Sequence, residues 1–267
     1  MALVTLADAA PRVVVLDGAA PQDGTGARLT LCLLDGFQLR VDDLIVALPI
    51  PIQRLLAYLA VQQRPVSRSA TAGMLWLDVP ERRASGSLRS ALWRLGKEGI
   101  HPVVTSPTHL GLCPAVAVDL YEALATARSL TDQRGALRFD AQAMRLLSKD
   151  LLPDWYDEWL FVERERFRQI RLHALEALCE QLTSAGCYAL AIESGLAAVA
   201  AEPLRESAHR ALIKAHLAEG NRSEAMRQYK RLCELLRTDL TADPSEDVTS
   251  LVRWAPPRTP EATAPPA

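Results

Sequence analysis

At Pro49-Ile50-Pro51 the hydrophobic period of the chain switches from two residues to 3.6, and that switch constrains the fold more than any other feature. Upstream the pattern is β. Residues 28–34 are apolar-rich and end at Asp35-Gly36, a strong hairpin signal; residues 37–41 follow and end at Asp42-Asp43; residues 44–48 make a third strand that the two prolines stop. Downstream, Ile52, Leu55, Leu56, Leu59 and Ala60 recur at i, i+3, i+4, i+7 and i+8, one face of a helix that Pro65 closes. Ser67 is placed to N-cap a second, short helix carrying Ala70, Met74 and Leu77, which Pro80 ends. A third helix is expected over residues 83–95, with Ala84, Leu88, Ala91, Leu92 and Leu95 as its buried stripe and Gly96 and Gly99 as its end. Val103-Val104 and Leu110-Gly111-Leu112 then flank a proline-containing turn and read as a β-hairpin. Strands, three helices and a hairpin in this order make a winged helix-turn-helix, in which the third helix enters the DNA major groove.

Charge follows the same boundary. Residues 51–110 carry eight basic and three acidic side chains, net +5, whereas residues 1–50 carry net −3 and residues 111–267 net −4. One basic stretch inside an acidic chain points to a polyanionic partner for that stretch. On a helical wheel the outer face of the third helix presents Ser87, Arg89, Ser90, Trp93, Arg94 and Lys97. Arginine can pair two-pronged with guanine, and serine can bond a phosphate or a base edge. The hairpin offers Thr105, Thr108 and His109, while Arg54, Arg68, Arg82 and Arg83 flank the helix as phosphate holders.

The 267 residues suffice for one large domain or two ordinary ones. The expected fold class is mainly α with small β: a winged helix-turn-helix domain over residues 28–114, then an all-α, tetratricopeptide-like helical repeat domain over residues 115–253. Residues 1–27 and the proline-rich tail 254–267 are expected to be disordered. An offset of 34 residues aligns Ala174 with Ala208, Leu178 with Leu212, Gly186 with Gly220 and Ala191 with Ala225, and puts Ala198 on Leu232. Gly186 and Gly220 mark the turn within each helix pair, and Pro203 ends the first repeat; Arg237 stands where a second terminal proline would be.

Resemblance to a known family rests on a series of short matches: Leu55-Leu56-Ala57-Tyr58-Leu59-Ala60, Pro65-Val66-Ser67-Arg68, Leu75-Trp76, Ser87-Leu88-Arg89-Ser90-Ala91-Leu92-Trp93-Arg94-Leu95, Val118-Asp119-Leu120, Leu151-Leu152-Pro153-Asp154-Trp155 with Glu163-Arg164-Glu165-Arg166, and Glu202-Pro203-Leu204-Arg205-Glu206-Ser207-Ala208-His209-Arg210. In this order the sequence resembles the antibiotic-regulatory-protein (SARP) type of actinobacterial transcription activator, a winged helix joined to a helical bacterial transcriptional activation domain. The resemblance implies binding of paired copies to promoter repeats in double-stranded DNA and contact with the RNA polymerase holoenzyme. It departs from the pattern at Gly96, where arginine commonly follows the last buried leucine; loss of a phosphate contact and a shortened helix are expected. The length implies a short, stand-alone regulator.

Other functions find less support. Asp23-Gly24-Thr25-Gly26 lacks the lysine of a phosphate loop and leads into no helix, no Gly-x-Ser-x-Gly nucleophile motif occurs, and His101, His109, His173, His209 and His216 have no metal-ligand spacing. His209 and His216 are read as lining a repeat groove. The acidic run Asp154, Asp157, Glu158, Glu163 and Glu165 reads as a solvated helix entry. No enzyme, cofactor or metal is expected. Five dispersed cysteines argue against a disulfide framework. No run is long and apolar enough to span a membrane, and Asp8, Arg12 and Asp17 break any signal-peptide core, so a cytoplasmic location is expected. The alternative is a protein-interaction adaptor built on the repeats, without DNA binding.

Overall fold

The computed structural model describes residues 13–14, 28–97, 100–132 and 141–253. In chain order the first elements are β1 (Val13–Val14), β2 (Leu29–Cys32), β3 (Gln38–Val41), β4 (Leu44–Val46), α1 (Ile50–Gln62), β5 (Val66–Ser67), α2 (Arg68–Leu75), α3 (Glu81–Lys97), β6 (Val103–Thr105), β7 (His109–Leu112), β8 (Ala117–Val118) and α4 (Asp119–Thr131). The three-strand, three-helix, hairpin order is present, with additions.

β2, β3 and β4 form the expected antiparallel meander. Asp42 and Asp43 close its second turn with positive φ of 47° and 68°, as a two-residue hairpin requires. The first turn is wider than Asp35-Gly36, because Leu33 and Leu34 leave the ladder. Their amides donate to the Asp119 carboxylate at 2.9 and 3.1 Å, and burial pushes the pKa of that carboxyl up. β8 adds in parallel beside β2, and Val13–Val14 adds in parallel beside β4. Within residues 1–27, expected to be disordered, Val13 and Val14 pair with Ile45 and Val46. The rest of 1–27 and the tail 254–267 lie outside the described residues.

The chain divides into two compact units, each built from two separate stretches of sequence. The first takes the chain up to residue 125 together with residues 149–167; the second takes residues 126–148 and everything from 168. Leu151 bridges Leu34, Leu152 donates its amide to the Leu33 carbonyl, Trp155 stacks on Phe37, and Trp159 meets Tyr58 edge-on. Leu31, Leu33, Leu39, Ile52, Leu55, Leu56 and Leu152 are among the fully buried side chains of this unit.

The second unit contains α5 (Ala141–Leu147), the C-terminal part of α6 (Glu158–Ser184), then α7 (Tyr188–Ala201), α8 (Glu206–Glu219), α9 (Arg222–Leu240) and the short α10 (Glu246–Thr249). The 34-residue repeat maps onto the pairs α6–α7 and α8–α9. Gly186 and Gly220 turn each pair with φ of 75° and 89°, a conformation open to glycine. Every aligned apolar position, from Ala174 and Ala208 to Ala198 and Leu232, is at most 1% exposed. Where α7 meets α8, a Cβ on Gly195 would lie 3.1 Å from Leu212, so glycine sets the closeness of that approach. His209 does not line a groove. It is fully buried, its Nε2 donating to the Pro203 carbonyl at 2.9 Å while its Nδ1 accepts from Gln228 at 2.8 Å.

Candidate nucleic-acid interface

α3 positions its side chains by a simple alternation of small, apolar and charged residues. Ala84, Leu88, Ala91 and Leu95 are at most 4% exposed and form one row against the core. Leu92 is half-buried at its margin. Facing away, Arg82, Arg83, Arg89, Ser90, Trp93, Arg94 and Lys97 are exposed, and Ser87 is half-buried. The five cations Arg82, Arg83, Arg89, Arg94 and Lys97 make no ion pair with any described residue. The Lys97 ammonium sits 5.5 Å from the Trp93 ring centroid.

The helix is longer than its glycines suggested. It begins at Glu81 and passes through Gly96 to Lys97. A glycine inside a helix costs only about 1 kcal/mol relative to alanine, and the buried Leu95 beside it holds the turn in place. Gly96 therefore removes a side chain without shortening the helix.

The second helix differs in register. Its buried face is Thr71, Ala72 and Leu75, whereas Ala70, Met74 and Leu77 are exposed. Thr71 can be buried because its hydroxyl donates to the Ser67 carbonyl at 2.9 Å. Ser67 does precede α2, but its side chain caps no helix amide; its Oγ lies 2.9 Å from that of Ser69.

The hairpin β6–β7 gains a third strand, in the order β5-β7-β6. Ser67 faces His109 across that pairing, and the Arg68 amide donates to the Thr108 carbonyl at 2.9 Å. The start of α2 is thereby tied to the hairpin tip. Thr105, Thr108 and His109 are exposed, with Thr108 Oγ1 2.9 Å from His109 Nδ1. Ser67, Arg68, Ser69, Ser85, Arg89 and Thr108 line a hollow of about 370 Å³ between α2, α3 and the hairpin. Ser67 escapes a reading of helix faces, since it lies in β5, where it pairs with His109.

Two flanking arginines are otherwise engaged. Arg54 pairs with the largely buried Asp157, which also accepts from the Trp159 indole at 3.2 Å. The acidic run at the entry of α6 thus supplies a counter-charge to this expected phosphate holder from 103 residues away. Arg68 is half-buried, with Nη1 3.4 Å from the Ser106 carbonyl. It braces the hairpin from the edge of the hollow. Among the described residues no group of three His, Cys, Asp or Glu could hold a metal ion, and no helix is long and apolar enough to cross a membrane.

Comparison with known proteins agrees with this architecture. The bacterial transcriptional activator domain family matches residues 115–253. The regulatory protein AfsR of Streptomyces coelicolor is 31% identical over 215 residues, which cover 75% of this chain and 21% of that protein. The regulatory protein AfsR of Streptomyces griseus is 27% identical over 198 residues, covering 69% of this chain and 20% of that one. The chain thus spans about a fifth of the length of these relatives. Among solved structures, Mycobacterium tuberculosis EmbR in complex with a low-affinity phosphopeptide is similar, with a TM-score of 0.64 and 26% identity over 85% of this chain and 64% of that one. The chain belongs to the bacterial transcriptional activator domain family.

Proposed function

We propose that the first unit binds duplex DNA in a sequence-specific way, with α3 in the major groove and the β6–β7 hairpin against the backbone beside it. The observation that carries this reading is the row of five exposed cations on α3, none matched by a carboxylate among the described residues. Unpaired guanidinium groups on an outward helix face suit phosphate oxygens and the acceptor edge of guanine. Arg89 and Arg94 are assigned to base edges, Arg82, Arg83 and Lys97 to phosphates, and Thr105, Thr108 and His109 to the flanking backbone. The regulator then acts as an activator: paired copies bind promoter repeats, and the helical unit contacts the RNA polymerase holoenzyme.

Selection of bound duplexes from a random pool tests this reading. Enrichment of a repeated motif is expected, and its spacing reports how many copies bind. A pool that stays random would overturn it and favour the repeats as a protein-binding adaptor, since helical repeats build extended surfaces for protein partners.

A further inference from the structure

We infer that the Trp93 indole recognises the C5-methyl group of thymine, making Trp93 a specificity residue of the α3 face. The inference rests on the DNA-binding reading above and adds one base to what that face selects.

Arg82, Gly86, Trp93 and Lys97 are spaced by four, seven and four residues, so they fall along one line of the helix. That line runs opposite the buried row of Ala84, Leu88, Ala91 and Leu95. The indole is 66% exposed, and among the described residues it is the only large apolar side chain that α3 leaves exposed. Its neighbours on the outer face are arginines, Ser90 and Lys97, none of which buries it. Trp93 borders two separate hollows, one of about 880 Å³ and one of about 350 Å³, so it stands as a ridge between them. Gly86, on the same line toward the helix start, adds no shield: a Cβ there would meet nothing nearer than Arg89 Nη2 at 3.9 Å.

A helix face of this kind needs an apolar partner at one point and polar partners around it. The major groove supplies that combination, because the thymine methyl is the one apolar group it displays among donors and acceptors. Phosphate oxygens give the indole no apolar contact. Lys97, above the ring, keeps a cation beside the methyl contact, within reach of the backbone.

The test uses the full chain and the duplex recovered by selection, resynthesised with each thymine replaced in turn by deoxyuridine, which removes only the methyl. The wild-type protein is expected to lose about four-fold in affinity at one or more thymines of each repeat, the equivalent of ~0.8 kcal/mol for one buried carbon. Trp93→Ala is expected to bind the thymine and uracil duplexes equally at that position, and Trp93→Phe to keep part of the preference, with circular dichroism unchanged in both. Three results would overturn the inference while DNA binding stands: uracil tolerated at every position, a recovered motif without a fixed thymine, or a Trp93→Ala protein that still prefers thymine. Failure to enrich any duplex overturns the DNA-binding reading, and this inference with it.

Discussion

The outer face of α3 and the helical repeats hold the same kinds of basic residue in opposite arrangements. In the repeats many cations are matched, Arg168 with Glu202, Arg205 with Glu176, Arg210 with Asp247, Arg227 with Glu224 and Arg237 with Asp243, while Lys230 and Arg231 on α9 have no ion pair among the described residues. On α3, Arg82, Arg83, Arg89, Arg94 and Lys97 have no such partner among the described residues. A matched cation spends its charge on a neighbouring carboxylate and leaves little field outside. An unmatched row keeps its charge available to an anion that arrives from solution. The overall net charge of −2 hides this; the regional excess of +5 over residues 51–110, together with the lack of ion pairs on α3, sets the binding region apart.

The sharpest way to break the comparison is to remove charge from each region. Arg89→Ala with Arg94→Ala should abolish specific binding, because two arginine contacts to guanine are worth about 1–3 kcal/mol each. The thermal midpoint should stay in place, since both side chains are exposed. Fluorescence anisotropy and a melting curve on the same sample check this. Arg205→Ala should do the reverse. Its guanidinium lies 2.6 Å from Glu176, with both side chains under a fifth exposed, and Gln169 and His173 are further partners. Breaking the pair should lower the unfolding free energy by about 2–3 kcal/mol, below the full cost of a buried pair because some solvent reaches it. DNA affinity of the folded fraction should not change. Urea unfolding beside DNA titration separates the two quantities.

Packing offers a finer test. Gly195→Ala would put a Cβ 3.1 Å from Leu212 and 3.3 Å from Cys179 Sγ. The α7–α8 contact should weaken by about 1–2 kcal/mol, an ordinary cost of overpacking where side chains can partly yield. The smallest effect concerns pH. Burial holds the His209 pKa below its usual 6.5, so the unfolded imidazole takes up a proton before the folded one. The stabilisation is complete above about pH 6.5 and is lost as pH falls from there toward the folded value. Urea midpoints taken from neutral to mildly acidic pH should fall on that schedule, and His209→Gln should flatten the dependence.

Short-range patterning made much of this legible. The α3 stripe could be read because each turn repeats the same apolar-in, charged-out choice, and the outward placement of Arg89 and Arg94 follows from it. The repeat could be read because Gly186 and Gly220 carry a backbone requirement that no other residue type meets as easily. What stayed hidden was set at long range. Arg54 looks like any surface cation until Asp157 returns to meet it, and Asp119 looks like a helix start until Leu33 and Leu34 aim their amides at it. Thr71 defeats a hydrophobicity pattern because its hydroxyl is satisfied within its own turn. His209 likewise reads as a groove-lining residue until Pro203 and Gln228 are seen to satisfy both ring nitrogens.

The central claim, that the unmatched α3 cations meet phosphates and bases, is tested most directly by the salt dependence of the dissociation constant for the selected duplex. Each neutralised phosphate contributes about −0.9 to the slope of log affinity against log salt. With Arg82, Arg83 and Lys97 on phosphates the account predicts a slope of about −2.7 or steeper, made shallower by about 0.9 for each of the three replaced by alanine. A slope near zero, or one that the three substitutions leave unchanged, would contradict it.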